Sequence, residues 1–304
     1  MKNLPSMKQL QYLAALAEYR HFGQAAESCF VTQSTLSAGI RDLEDLLQAK
    51  VAERTNRSVM LTPLGERLAA MGKTVLRLAE DMVDVAHQSS EFLTGALRLG
   101  VIPTIGPYLL PRVLPAIHRQ YPNLELFLRE DYTDRLLEQL KDGTLDVILI
   151  ALPYDTNGMD SLTLFSDGFV LACPEYHSLA GRKSLDIDAF ADEPLLLLEE
   201  GHCLRRHALE ACRLEGRDKA GNFEATSMPT LVQMVAMGMG LTLLPQLAVD
   251  AGIANGLDIA LVPLGDTVGT RDVGLVWRTT SARADEFRAL GDLLAVAKAK
   301  SSGT

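Results

Sequence analysis

Two cysteines nine residues apart, Cys203 and Cys212, sit where thiol chemistry is possible. His202 precedes the first, Arg205 follows it, and Glu199 and Glu200 stand just upstream. The run Leu204–Glu215 reads as one helix, which puts Cys203 at its N-terminus. There the helix dipole and Arg205 favour a thiolate, and His202 adds to that when protonated. The two glutamates oppose it. Nine helical residues span about 13.5 Å and turn the second side chain to the opposite face. A disulfide needs Cα atoms roughly 4.4–6.8 Å apart. The two cysteines therefore cannot bond while that helix is intact, and a reversible bond between them would be a conformational switch. Two alternatives stand beside this one. Both cysteines can be inert small hydrophobes of a core. Or His202, Cys203, His207 and Cys212 can hold zinc, although only the two histidines have a common ligand spacing.

The rest of the chain bounds what such a pair can serve. With 304 residues it has room for two or three domains at about 100–200 residues each. It is 47% hydrophobic and 22% charged, an ordinary globular composition. The net charge of −10 is uneven, at +1 for residues 1–70 and −11 for the remainder. That excludes a chain coated in basic charge but permits a small DNA-reading module on an acidic body. The start, Met1-Lys2-Asn3-Leu4-Pro5, lacks a secretory apolar region, and no run approaches the ~20 apolar residues of a membrane span. The expected location is the cytoplasm, with no membrane partner. Four cysteines in so long a chain are no disulfide scaffold, and Cys29 and Cys173 read as structural.

The N-terminal segment supplies the reading module. Ser6-x-x-Gln9 is a capping box ahead of Leu10, Leu13, Ala14 and Ala17 at helical spacing. A second short helix fits Phe22–Ser28. After a turn, Thr32 caps a third from Gln33 to about Leu47, with Leu36, Ile40, Leu43 and Leu47 on its inner stripe. This is a helix-turn-helix pattern, and it makes double-stranded DNA the expected partner. Gln33, Ser34, Thr35, Ser37 and Arg41 occupy the tip of the third helix. Gln pairs with adenine and Arg with guanine, and hydroxyls serve bases or phosphates; the plain alternative is a solvated helix start. Arg54 and Arg57 lie in a basic turn between two short apolar stretches, as in a wing that touches phosphates or the minor groove. Thr62-Pro63 then opens a helix whose apolar positions are Leu64, Leu68, Met71, Val75, Leu78, Met82 and Val85. Their alternating spacing of four and three is a heptad seam, which predicts a dimer. A helix packed only on its own domain is the alternative.

Residues 7–70 resemble the DNA-binding domain of the LysR-type transcriptional regulators. The resemblance is carried by Phe22-Gly23-Gln24-Ala25-Ala26, Thr32-Gln33-Ser34-Thr35-Leu36-Ser37, Ile40-Arg41-Asp42-Leu43-Glu44, Arg54-Thr55 and Leu61-Thr62-Pro63-Leu64-Gly65. Ser34 and Ala38-Gly39 depart from the usual pattern, which bears on sequence preference more than on binding. The resemblance implies an all-α winged helix-turn-helix domain (1–62), a long linker and dimerisation helix (63–92), and an α/β two-lobed effector domain like the periplasmic binding proteins (93–304). Lobe I would hold about 93–165 and 268–304, and lobe II about 166–267. The βαβαβ order after Gly95 agrees, since it implies a parallel sheet with right-handed crossovers.

Val101–Pro111 and Leu198–Arg205, with the second cysteine at the matching spacing, are most similar to the peroxide-sensing activators within that family. What this resemblance implies is specific. Cys203 would be the peroxidatic thiol and Cys212 the resolving thiol, with Thr104, Thr133, His202 and Arg205 around hydrogen peroxide. Helix capping is the plain alternative for the two threonines. No cofactor and no metal are implied. Beyond DNA and peroxide, the implied partners are further copies in a homodimer and homotetramer, RNA polymerase, and a thiol reductant that resets the switch. Two rival functions are weighed against this one: a regulator answering to a small organic effector in the cleft between lobes, and a thiol peroxidase. The latter needs neither a helix-turn-helix nor a heptad seam.

Overall fold

The computed structural model describes residues 4–54, 59–87, 92–211, 220–265 and 268–299; for residues 54, 81, 84–87, 220–224 and 297–299 it describes the backbone alone. The chain forms two compact units that divide between Glu91 and Phe92.

The first unit is a helix-turn-helix with a small wing. Helix α1 (Met7–Tyr19) starts on the Ser6–Gln9 capping box. Helix α2 (Phe22–Ser28) is capped by the His21 ring, and α3 (Gln33–Leu47) by Thr32. Strands β1 (Ala52–Arg54) and β2 (Val59–Leu61) pair antiparallel, so the helical module carries a two-stranded wing. Helix α4 (Pro63–His87) follows and packs on α1. Leu13, Leu16, Ala25, Leu36, Ile40, Leu43 and Val51 form the core. Two contacts fix its shape. A Cβ on Gly39 would lie 2.5 Å from the Tyr12 ring, so α3 crosses α1 closer than any side chain allows. Glu44 is buried and accepts the Val51 and Ala52 amides at 2.9 and 3.4 Å and the Lys50 ammonium at 2.7 Å, which fastens α3 to the start of the wing.

The second unit has two lobes. Lobe I holds β3 (Gly95–Val101), α5 (Gly106–Gln120), β4 (Leu124–Glu130), α6 (Thr133–Lys141), β5 (Val147–Leu152) and β6 (Asp160–Asp167). Lobe II holds β7 (Phe169–Pro174), β8 (Leu195–Leu198), α7 (Cys203–Ala211), β9 (Ala220–Ala225), α8 (Met228–Ala236), β10 (Thr242–Pro245), α9 (Gln246–Asp250) and β11 (Ile259–Pro263). The chain returns to lobe I through β12 (Arg271–Trp277) and closes with α10 (Ala284–Ala299). The lobe I sheet runs β4-β3-β5-β12-β6. Strands β3, β4 and β5 are parallel, as the βαβαβ order requires, whereas β12 is antiparallel to β5 and β6. The sheet is therefore mixed, because β12 arrives from the other lobe rather than over a crossover helix. In lobe II, β7 pairs antiparallel with β10 and β11, and β8 pairs parallel with β9. Among the described residues no helix is long and apolar enough to cross a membrane.

Candidate functional site

Cys203 is the first residue of α7, directly after the turn from β8. It is 8% exposed, and its neighbour His202 is buried as well. Burial pushes the Cys203 thiol pKa up; the Arg271 guanidinium, the Thr133 hydroxyl, Arg206 and the helix backbone pull it down without cancelling that rise. Thr133 Oγ1 is buried, and the group it acts on is the Cys203 sulfur. Lying beside the sulfur, it is placed to donate to a thiolate.

Arg271, at the first position of β12, anchors the site. Its Nη1 donates to Thr104 Oγ1 and its Nη2 to the Thr104 carbonyl, both at 3.0 Å. Its Nε and Nη2 donate to Asp167 Oδ2 at 3.1 and 3.0 Å. Asp167 Oδ1 accepts the Leu247 amide at 2.8 Å. The two strands that carry the chain between lobes are thus clamped to each other and to lobe II. Thr104 and Thr133 do not cap helices: the N-cap of α5 is Ile105 and that of α6 is Tyr132, and neither makes a side-chain cap bond. The threonines instead face Arg271 and Cys203.

His202 makes a 3.1 Å bond from Nε2 to the Thr226 carbonyl, which places its proton on Nε2, since a carbonyl only accepts. Burial pushes its pKa down, so it is neutral at pH 7 and adds no positive charge to the thiol. One turn along α7, His207 Nε2 donates to the Pro153 carbonyl at 3.2 Å. Burial holds its pKa low too. Arg206 Nη2 reaches the same carbonyl at 3.4 Å, so α7 is tied to the end of β5. Arg205 Nη1 bonds the Leu198 carbonyl at 3.4 Å. With Glu200, His202, Arg206, Leu209 and Glu210 it lines a surface groove of about 430 Å³. Arg271 and Arg206 are cations that act on the Cys203 thiol. Cys212, and the helix expected beyond Ala211 to Glu215, lie outside the described residues. Among the described residues no cluster of three or more His, Cys, Asp or Glu has a metal-binding arrangement.

Sequence reasoning missed Arg271, Asp167, Tyr132 and Arg206. Arg271 opens strand β12, and no periodicity marks it. A basic residue at the return to lobe I and an acidic one at the departure were the available signal.

At the other unit, Gln33, Ser34, Thr35 and Arg41 are exposed and Ser37 is half-buried. Thr32 Oγ1 accepts the Thr35 amide at 3.2 Å and lies 2.9 Å from Ser34 Oγ and 2.8 Å from Thr35 Oγ1. These hydroxyls are therefore held in a cap network at the helix tip. The Arg54 side chain and all of Arg57 lie outside the described residues. Along α4, Leu64, Met71, Val75, Leu78 and Met82 are exposed, and Leu68 packs on the core. The Val85 side chain is not among those described. Met71 and Val75 line an apolar cavity of about 360 Å³ with Leu10, Leu13, Leu43 and Leu68. Cys29 packs at the edge of the first unit's core, and Cys173 is fully buried in β7.

Residues 7–66 match the bacterial regulatory helix-turn-helix protein of the lysR family, and residues 90–298 match the LysR substrate binding domain. The chain is 40% identical over 296 residues to the HTH-type transcriptional regulator EstR of Acinetobacter baylyi, covering 97% of each. It is 41% identical over 289 residues to the DNA-binding transcriptional dual regulator OxyR of Escherichia coli K12, covering 95% of this chain and 94% of that one. Among solved structures, a full-length cysteine-to-aspartate variant of OxyR from Pseudomonas aeruginosa superposes with a TM-score of 0.80 at 36% identity, over 96% of this chain and 95% of that one. A hydrogen-peroxide-bound cysteine-to-serine variant of Corynebacterium glutamicum OxyR gives 0.67 at 36% identity, over 98% and 96%. The chain belongs to the LysR family of bacterial transcriptional regulators, close to OxyR, with a helix-turn-helix DNA-binding module and a two-lobed effector domain.

Proposed function

We propose that this regulator answers to hydrogen peroxide through Cys203. One observation carries the reading: Arg271, bonded to Thr104, and the buried hydroxyl of Thr133 both act on the same buried sulfur. The sulfur attacks one peroxide oxygen and the O–O bond breaks. The departing oxygen takes the thiol proton and leaves as water. Arg271 and the two threonine hydroxyls supply positive charge and hydrogen bonds where negative charge develops. His202 and Arg205 border the approach. The product is a sulfenic acid, which condenses with the Cys212 thiol, releasing a second water and leaving a disulfide. Forming that bond requires α7 to open, because eight helical steps place Cys203 and Ala211 about 12 Å apart. A cytoplasmic thiol reductant, donating two electrons, resets it.

The output is DNA binding. The tips of two α3 helices, with Gln33, Ser34, Thr35, Ser37 and Arg41, read a two-fold-related site, and Arg54 and Arg57 hold phosphates. The exposed α4 stripe is the dimer seam, and two dimers make the tetramer whose geometry the disulfide resets. RNA polymerase is the partner when the regulator activates. The likeness to peroxide-inducible regulators supports this reading. A second reading, a small organic effector in place of peroxide, draws support from the relative EstR and from the groove lined by Arg205 and Arg206.

DNA footprinting of reduced and peroxide-treated protein separates the two. Peroxide is expected to change the footprint of the natural protein but not of Cys203→Ser or Cys212→Ser. A peroxide-induced change that survives Cys203→Ser overturns the assignment.

A further inference from the structure

Tyr132 packs on the turn that leads into Cys203. It immediately precedes Thr133 and is half-buried, where Thr133 is fully buried. Its ring meets the His202 ring edge-on, with centroids 4.7 Å apart. A Cβ on Gly201 would lie 4.0 Å from the same ring. Its hydroxyl donates to Glu199 Oε1 at 2.6 Å, the short length of a bond to a carboxylate. Arg135, on α6, covers the ring from 5.6 Å. Tyr132 belongs to lobe I, whereas Glu199, Gly201 and His202 form the lobe II turn that leads into Cys203. One side chain thus joins the lobes beside the residues that flank the thiol on both sides.

We infer that Tyr132 is a gate, latched by Glu199, that sets which hydroperoxides reach Cys203. It admits hydrogen peroxide and excludes hydroperoxides that carry a bulky organic group. The gate presupposes the peroxide-reactive Cys203 proposed above. Hydrogen peroxide has two heavy atoms and passes with a small displacement of the ring. An aryl-substituted hydroperoxide needs the space the ring occupies, so the latch and the edge-on contact with His202 must both break.

The test is the rate of Cys203 thiol loss in full-length protein with hydrogen peroxide and with cumene hydroperoxide. Tyr132→Ala is expected to raise the cumene hydroperoxide rate about tenfold relative to the hydrogen peroxide rate, a discrimination typical of filled against vacated apolar space. Tyr132→Phe and Glu199→Ala, which keep the ring and lose the latch, should shift the ratio the same way by less. An unchanged ratio in Tyr132→Ala that still binds DNA when reduced overturns the gate. Should that variant not fold, an unchanged ratio in both others does so. Natural protein that reacts with neither reagent overturns the peroxide reading itself, and the gate with it.

Discussion

Arg271 and Asp167 pair at 3.0 Å with neither side chain exposed to solvent. The pair stands where the chain leaves lobe I and where it returns. A buried charge is tolerated only when paired, and removing one partner strands the other. Asp167→Asn leaves the Arg271 guanidinium in the core without its counter-ion. The expected cost is about 3–5 kcal/mol, read as a large drop in the thermal midpoint of the second unit. An unchanged midpoint would mean that the pair is solvated in solution and clamps nothing.

The Thr133 hydroxyl should matter to reactivity more than to stability. Burial raises the Cys203 pKa and Thr133 is among the groups that lower it. Thr133→Val removes that pull, so the pH profile of Cys203 alkylation should move to the alkaline side. At pH 7.5, iodoacetamide should label Cys203 severalfold more slowly than in the natural protein, since one lost hydrogen bond is worth roughly 1 kcal/mol. Equal rates at every pH would remove Thr133 from the site.

How far the sequence foretold this arrangement depends on the range of each contact. The helix-turn-helix is set by local rules: Ser6–Gln9 and Thr32 cap where their types say they should, and the inner stripe of α3 is buried. Cys203 falls at the start of a helix, as its local sequence led one to expect. The partners of the site are remote. Asp167 and Arg271 are 104 residues apart, and only the topology of β6 and β12 brings them together. Thr104 and Thr133 look like helix caps in one dimension, and they turn from that role because Arg271 and Cys203 arrive from elsewhere. Strand β9, Ala220–Ala225, was not foreseen, as its Gly and Asn carry little strand preference.

Gly39 illustrates the same limit. By helix propensity, alanine there should be better by about 1 kcal/mol. The structure reverses the sign, because the added methyl would meet the Tyr12 ring at 2.5 Å and that ring is buried. Gly39→Ala should destabilise the first unit by about 1–3 kcal/mol, the usual cost of overpacking. Chemical denaturation of the full-length protein, followed by circular dichroism, measures it; a gain in stability would show that Tyr12 moves aside freely.

Glu44 gives the first unit a pH dependence. Burial works to raise its pKa, but bonds from Lys50, Val51 and Ala52 outweigh it and the net shift is downward. A carboxyl with a lowered pKa in the folded state stabilises the fold above its ordinary value of 4.5, and that contribution is lost as pH falls through the folded value. Acid titration should therefore weaken the unit below the ordinary carboxylate range. Glu44→Gln should be less stable at pH 7 and show a flatter acid limb. Parallel limbs for the two proteins would contradict the role given to the carboxylate.

The α4 stripe offers the sharpest test of assembly. Met71 and Met82 are 65% and 75% exposed in a single chain, although both occupy the apolar seam of a heptad pattern. Exposed side chains contribute little to the stability of the unit that carries them, so substitution there should cost within about 0.5 kcal/mol. A dimer seam behaves differently, because two carboxylates brought face to face in an apolar interface pay desolvation and repulsion together. Met71→Glu combined with Met82→Glu should therefore leave a folded protein that sediments as a smaller species than the natural one, with the α4 pairing lost. Its affinity for a two-fold DNA site should fall to that of one reading head, while binding to a half-site is kept. If the double variant still sediments as the natural protein does, α4 is not the dimer seam, and its exposed methionines need another partner.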